Sequence, residues 1–344
     1  MAMDTVRENL IKDNKSKKER LKKRKESMNK EELLYLRRKQ IFDKVWPFFR
    51  FLIIAGLCFV ILYPLIFMIS CAFREQSDMN DPTVMWIPRN LTLSVIKETA
   101  TAMKFDETII NTLKLNIGCS FVQVITSAIT GYGFARFKFK GRNILFAVVI
   151  MMILVPSQII LIPQYMQFRY FDFLGLFKLF TGDTINLINT AWTMYLPAFT
   201  ANGIRAGLMI LIFRQFFKGM PKELEDAAYL DGCGPFRTFV VIMIPNALSS
   251  FLTVFLFSVV WYWNDYYVSN SFFTSNQTIA LMLKNIDTVL KMALFNDASL
   301  AVSARQLIVW MQAGCLISIS PMLILYIVLQ KHFTEGVERS GLVG

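Results

Sequence analysis

The sequence has little of what most catalytic chemistry requires. Its one histidine, His332, lies in a polar stretch and reads as a solvated side chain, with no company for a metal site or a Ser/His/Asp triad. Five cysteines, at 58, 71, 119, 233 and 315, form no CxxC pair. Four of them sit in or beside apolar runs, so neither a disulfide framework nor a metal site follows. There is no G-x-x-x-x-G-K-[ST] segment, and the chain has no loop of its own to cradle ATP phosphates. These absences predict no catalytic residues, no bound cofactor and no metal.

What is abundant is apolar sequence. The chain has 344 residues, 54% of them hydrophobic and 31 of them Phe, too apolar for a soluble domain of this size. The expected fold class is an all-α membrane protein with six transmembrane helices. The runs are near Pro47 to Ser70, Asn111 to Ala135, Asn143 to Tyr165, Leu187 to Phe213, Pro245 to Val268 and Leu307 to Leu329. Each is long enough for a ~30 Å hydrocarbon core. Backbone polar groups in lipid must be satisfied within the segment, which favours helices, and the runs are too continuously apolar for barrel strands.

The formal charge of +12 is read as topology. Basic residues crowd before the first run, in KSKKERLKKRK at 15 to 25, and again in ARFKFKGR at 135 to 142, which has no acid. The segment 73 to 108 instead mixes Lys and Arg with more Asp and Glu. This is the positive-inside distribution. It predicts a basic cytoplasmic tail over 1 to 46, retained because no cleavable signal follows, and able to lie along anionic lipid. A membrane domain over 47 to 330 and a cytoplasmic tail over 331 to 344 complete the division. Both termini are then cytoplasmic, in a multi-pass protein of the cell membrane.

One polar interruption organises the chain: KGMPKELEDAAYLDGCGPFRTFVVIMIP, Lys218 to Pro245, between the fourth and fifth runs. Pro221 suits a first helical position, and Glu223, Glu225 and Asp226 place negative charge where the helix dipole is positive. Leu224, Ala227 and Ala228 fall at i, i+3 and i+4 on a small, flat face suited to docking in a groove. Gly232 is expected to end the helix at positive φ. Phe236, Phe239, Val240, Met243 and Ile244 then repeat at helical spacing, predicting a second helix pinned to the membrane side.

This segment resembles the EAA loop of ABC-importer permeases, a pattern of E-A-A-x-x-D-G followed by an aromatic residue, a hydrophobic stretch and a proline. Here it stands as Asp226-Ala227-Ala228, Asp231-Gly232, Phe236, Phe239 and Pro245, with Glu225 just before the position where the family usually has Glu. Other stretches are similar to the carbohydrate branch of those permeases, of maltose type: WIPRNLTL at 86 to 93, Asn111-Thr112-Leu113, GYGFARFKFKGR at 131 to 142, PSQIILIPQY, LGL, INT, FRQFFKGMPKELEDAA, WNDYY at 263 to 267 and LQKHFTEG. The C-terminal GVERSGLVG lacks the lysine of the family's glycine-rich tail. The resemblance covers about Pro64 to Gly344. It implies a permease subunit that moves a sugar or oligosaccharide into the cytoplasm and is not itself an enzyme. ATP is then used by a separate cytoplasmic ATPase dimer, coupled through the 221–245 elbow by Glu225, Asp226, Ala227, Ala228, Asp231, Gly232, Phe236 and Phe239. A second related permease and an extracellular solute-binding protein are the other implied partners. A secondary-active carrier, or an ABC permease for a non-carbohydrate solute, stands as the alternative.

Candidates for the translocation path are Arg205, Trp261, Trp263, Asn264 and Asp265. Arg205 lies inside Gly203-Ile-Arg-Ala-Gly207, a small-xxx-small spacing that admits a close neighbour. It either donates to polar substrate groups or pairs internally near a boundary, whereas Lys114 is placed to snorkel to the interface. The Trp-Tyr cluster suits an interfacial belt, and beside Asn and Asp it also suits the flat faces and hydroxyls of a sugar. Pro156, Pro163 and Pro321 predict kinks, whether for gating or packing.

Overall fold

The computed structural model describes residues 29–79, 81, 83–84, 87–274 and 278–341. The basic run at 15 to 25, Trp86 of the outer stretch and the last three residues lie outside them. The described residues are helical, with no strand and only two isolated β-bridges, Arg74 with Leu91 and Phe171 with Ile185.

The chain divides into two units, one up to Ile66 and one from Phe67 onward. Helix α1 (Lys30–Ala72) supplies the whole described part of the first unit. Pro47 and Pro64 lie inside it without ending it. Its apolar side chains, Phe51, Val60 and Ile61 among them, are exposed along the unit, and Phe42 stacks on Trp46 one turn away.

The second unit contains α2 (Ser94–Ala102), α3 (Phe105–Arg136), α4 (Arg142–Leu154), α5 (Ser157–Arg169), α6 (Leu176–Thr181), α7 (Trp192–Phe199) and α8 (Ala206–Gly219). After these come α9 (Glu223–Leu230), α10 (Pro235–Asn246), α11 (Leu248–Trp263), α12 (Tyr267–Phe272), α13 (Ile279–Lys284), α14 (Ile286–Phe295) and α15 (Ala304–Gly341). Four apolar clusters fill its described part, two of them larger than the others. In one, Trp310 and Ala313 of α15 meet Ile279, Ile286, Leu290 and Trp263. In the other, Met209, Phe213 and Phe217 of α8 pack with Val124, Ala128 and Tyr132 of α3, Phe239 and Met243 of α10, and Val254 of α11.

Among the described residues three helices are long and apolar enough to cross a membrane, Ile41–Ala72, Phe105–Arg136 and Ala304–Gln330, and the number is up to five if each of two bent pairs counts as one span. The expected spans at 143–165, 187–213 and 245–268 are therefore not single rods. In the third run α4 and α5 meet at 104°, because Pro156 has no N–H and holds Val155 extended at ψ 121. In the fifth run, α10 and α11 bend by 80° around Ala247, so Pro245 belongs to the elbow side, and the helix stops at Trp263 rather than Val268. The fourth run is cut into α7 and α8 by a break over 200–205, where Ala201 and Arg205 take φ +54 and +57.

Helix α3 stabilises these interruptions. Its buried face repeats polar side chains every three or four residues: Thr108, Thr112, Asn116, Ser120, Gln123 and Ser127. Thr126 donates to the Ala198 carbonyl at 2.8 Å, before the break, and Gln123 to the Ile204 carbonyl at 2.6 Å, within it. Tyr262 Oη donates to Gln123 Oε1. Asn116 donates to Val259 O at 2.8 Å, and Thr112 Oγ1 accepts from Ile279 N at the start of α13. Each such bond contributes about 0.5–1.5 kcal/mol net, and more would be lost by leaving a buried carbonyl unpaired. The small-xxx-small pair is not one helix face. A Cβ on Gly203 would meet the Gln123 and Tyr262 side chains, whereas one on Gly207 would lie 2.9 Å from Val149 O of α4.

Close contact between α3 and α8 rests on Gly131. A Cβ there would lie 2.7 Å from Phe213 Cβ and 2.9 Å from Arg214 N, whereas one on Gly133 meets nothing within 4 Å. Gly131→Ala should therefore destabilise the chain by about 1–3 kcal/mol through overpacking, and Gly133→Ala should not. Thermal unfolding of the two variants in detergent checks the difference; equal midpoints would show that the helices relax apart without loss.

Candidate functional site

The segment between α8 and α11 forms a helix–turn–helix. Helix α9 starts at Glu223, two residues after Pro221, with Glu223, Glu225 and Asp226 in its first turn. Gly232 takes φ +81. Its N–H donates to Tyr229 O at 3.0 Å and that of Cys233 to Ala228 O at 2.9 Å, the paired bonds of a Schellman termination. Helix α10 opens at Pro235, behind Gly234 in extended conformation, and passes through a π turn, Phe239–Met243.

The inner side of this elbow is fastened to α3. Glu225 is buried. Tyr132 Oη donates to its Oε1 at 2.6 Å. Arg136 Nε lies 3.0 Å from its Oε2 as an ion pair, without the alignment of a good hydrogen bond. Arg136 Nη2 also donates to Met220 O at 2.9 Å, tying down the end of α8. The Tyr132 ring packs 4.7 Å from Phe239 and 5.4 Å from Phe217. Sequence reasoning singles out neither Tyr132 nor Arg136. The signal lies in Arg136 being a basic residue in an acid-free loop, at the end of an apolar run, with a carboxylate at 225 free to meet it.

The elbow residues divide by side. Glu225, Ala228 and Phe239 face inward and are buried. Asp226, Ala227, Asp231, Gly232 and Phe236 are exposed. Of the expected flat face of Leu224, Ala227 and Ala228, Leu224 and Ala227 are open, whereas Ala228 is covered by the chain itself. The outer side is larger and more apolar than expected, with Leu230 89% and Phe236 77% exposed, joined by Tyr229 and Leu224.

The path candidates are not brought together as a single cluster. Arg205 is exposed at the break before α8. Trp263 is buried, its indole N–H donating to Ser318 O of α15 at 3.1 Å, so it packs between helices and offers no open face. Trp261 is half-buried and stacks on Phe257. Asp265 accepts from Ser269 N at 2.8 Å and from its hydroxyl at 2.9 Å, capping the turn into α12. Asn264 is exposed and donates to Val260 O. Among the described residues no group of His, Cys, Asp or Glu could hold a metal.

The buried ion pair fixes the expected response to substitution. Glu225→Gln leaves the Arg136 charge uncompensated and should destabilise the chain by about 3 kcal/mol, whereas the exposed Asp226→Asn should change stability by less than about 0.5 kcal/mol. The apolar pair Glu225→Met with Arg136→Met should recover most of the loss. Unfolding in detergent, with limited proteolysis across Glu223 to Pro235, measures all three; an Asp226 effect equal to that of Glu225 would contradict the assignment of sides.

The chain is similar in sequence to several known proteins. The chain is 28% identical over 303 residues to the arabinooligosaccharides transport system permease protein AraQ of Halalkalibacterium halodurans, covering 84% of this chain and 94% of that one. It is 27% identical to the probable ABC transporter permease protein YurM of Bacillus subtilis, over 87% and 88% of the two chains. It is also 27% identical to the probable starch degradation products transport system permease protein AmyC of Thermoanaerobacterium thermosulfurigenes, over 57% of this chain and 64% of that one. In fold it matches a chain in the crystal structure of a bacterial ABC transporter involved in the import of the acidic polysaccharide alginate, with a TM-score of 0.61 and 18% identity over 85% of this chain and 97% of that one. The family model of binding-protein-dependent transport system inner membrane components matches residues 123–339, which include the elbow and α3 from Gln123 onward. The chain thus belongs to the family of binding-protein-dependent transport system inner membrane components.

Proposed function

We propose that this chain is one permease subunit of an ATP-driven ABC importer that moves a sugar or oligosaccharide into the cytoplasm, and that the elbow at 221–245 couples it to a separate ATPase. The observation that carries the proposal is the two-sided elbow. One side is fixed to the transmembrane core by Glu225, Arg136 and Tyr132. The other presents Leu230, Phe236 and Tyr229 uncovered, rimmed by Glu223, Asp226 and Asp231. A lever needs a rigid attachment at one end and a contact at the other. A partner whose groove is apolar with a basic rim fits the open side, and its movement would pass through Glu225 into α3 as a rigid-body shift.

The remaining parts of the reading follow from family membership and the names of relatives. Two relatives are named for arabinooligosaccharides and starch degradation products, which supports a saccharide as the solute. A second related permease, a pair of ATPase subunits and an extracellular solute-binding protein complete the machine. In this reading the split α7 and α8 make one crossing, giving six spans with both termini cytoplasmic.

Two variants test the coupling. A Cβ on Gly232 would meet nothing within 4 Å, so the effect of Gly232→Val is confined to its φ of +81, at about 1–3 kcal/mol; Gly232→Asn should be milder because Asn tolerates that region. Leu230→Asp leaves the fold untouched and puts a charge in the apolar contact. Both Gly232→Val and Leu230→Asp should lower ATPase capture and saccharide-stimulated ATP hydrolysis by the reconstituted complex, with Leu230→Asp reducing capture about tenfold, or 1.4 kcal/mol. Normal capture and hydrolysis in both would remove the elbow from the mechanism.

A further inference from the structure

The break in the fourth run carries one charged side chain, Arg205. Arg205 immediately precedes α8, whose 14 residues rise about 21 Å to the elbow. In the six-span reading proposed above, this places it within the thickness of a ~30 Å hydrocarbon core. Ionisable groups at such depth line water-filled cavities or pair with partners rather than face lipid. Arg205 is exposed, as are Thr200 and Asn202. Among the described residues its side chain makes no ion pair or hydrogen bond, and Trp192–Phe199, Ala206–Gly219 and Leu248–Trp263 contain no carboxylate at all.

The local backbone is built to hold this charge out. Ala201 and Arg205 both occupy the left-handed region, which non-glycine residues rarely adopt. Their conformation is fixed from behind by Thr126 on Ala198 O, Gln123 on Ile204 O, and Asn202 N on Pro197 O at 2.8 Å. Gly203 fits against Gln123 and Tyr262 where no Cβ could. Such a loop, ending on a cation with no partner among the described residues, leaves the guanidinium open to a ligand.

We propose that Arg205 lines the translocation path and binds a carboxylate on the passing solute, so that the importer takes acidic, uronate-bearing saccharides, with Thr200 and Asn202 meeting the neighbouring hydroxyls. This rests on the permease reading above and adds the charge of the substrate. A neutral sugar gains only ordinary hydrogen bonds from a guanidinium, whereas a carboxylate gains a bidentate, charge-assisted pair.

The test uses the complete importer with its binding protein in proteoliposomes, and two labelled trisaccharides that differ only in one residue being a hexose or its uronate. Wild type should accumulate the uronate form at least as fast as the neutral one. Arg205→Gln should lower the uronate-to-neutral uptake ratio at least tenfold, and Arg205→Lys should restore part of it. The affinity of the separate binding protein for each sugar serves as the internal reference. An equal loss of both sugars in Arg205→Gln, or loss of the second permease on purification, would make Arg205 a subunit contact and overturn the proposal while leaving the permease reading in place. Accumulation of neither sugar by wild type would overturn both.

Discussion

Backbone groups cannot be left unpaired in a membrane, and here one helix meets that requirement for much of the second unit. The polar side chains along α3 reach one carbonyl before the break in the fourth run and one within it, a carbonyl in α11 and the first amide of α13. Its last turn holds the elbow through Tyr132 and Arg136. Irregular backbone at membrane depth persists only when neighbouring protein satisfies it. Interruptions that would be untenable in isolated helices are stabilised by a face of Thr, Asn, Ser and Gln that no solvent reaches. The same helix admits α8 closely at Gly131. The position of the elbow is therefore set by α3 more than by its own short helices, which are too brief to be stable alone.

Much of this is legible in the sequence where local rules decide. Gly232 at positive φ, the acid-rich start of α9 and Pro235 opening α10 all follow from one residue and its immediate neighbours. The breaks are only partly legible. Pro156 announces one, but nothing in Leu187 to Phe213 announces the left-handed Ala201 and Arg205, whose conformation is imposed by α3 from some 80 residues away in sequence. A hydrophobic run registers apolar content and is blind to whether a helix continues through it. For the same reason helical spacing alone puts Ala228 on the open side with Ala227. Spacing groups residues on a face without saying what covers that face, and here Ala228 shares the covered side with Glu225, which is paired with the distant Arg136.

The aromatic cluster shows the opposite case. Trp263 and Asp265 have the chemistry of a sugar platform, yet one indole donates to a carbonyl of α15 and the carboxylate caps a local turn. Composition offers two uses for these residues, and packing takes the structural one. The exposed Arg205, whose side chain finds no partner among the described residues, is where polar capacity is left over for something else.

The π turn at Phe239–Met243 carries a last consequence. A π turn accommodates one residue more than the α-helix it replaces, and each residue of an α-helix advances the face by about 100°. Both Phe239 and Met243 reach the core from this turn, and the chain then bends by 80° into α11. The extra residue acts as a phase shifter between the elbow and α11. Removing one residue from Val240 to Ile242 would rotate the fastened side of the elbow away from α3 while leaving every side chain of that contact in the sequence. Alignment of the two halves is thus stored as a count of residues, not in the identity of any one of them.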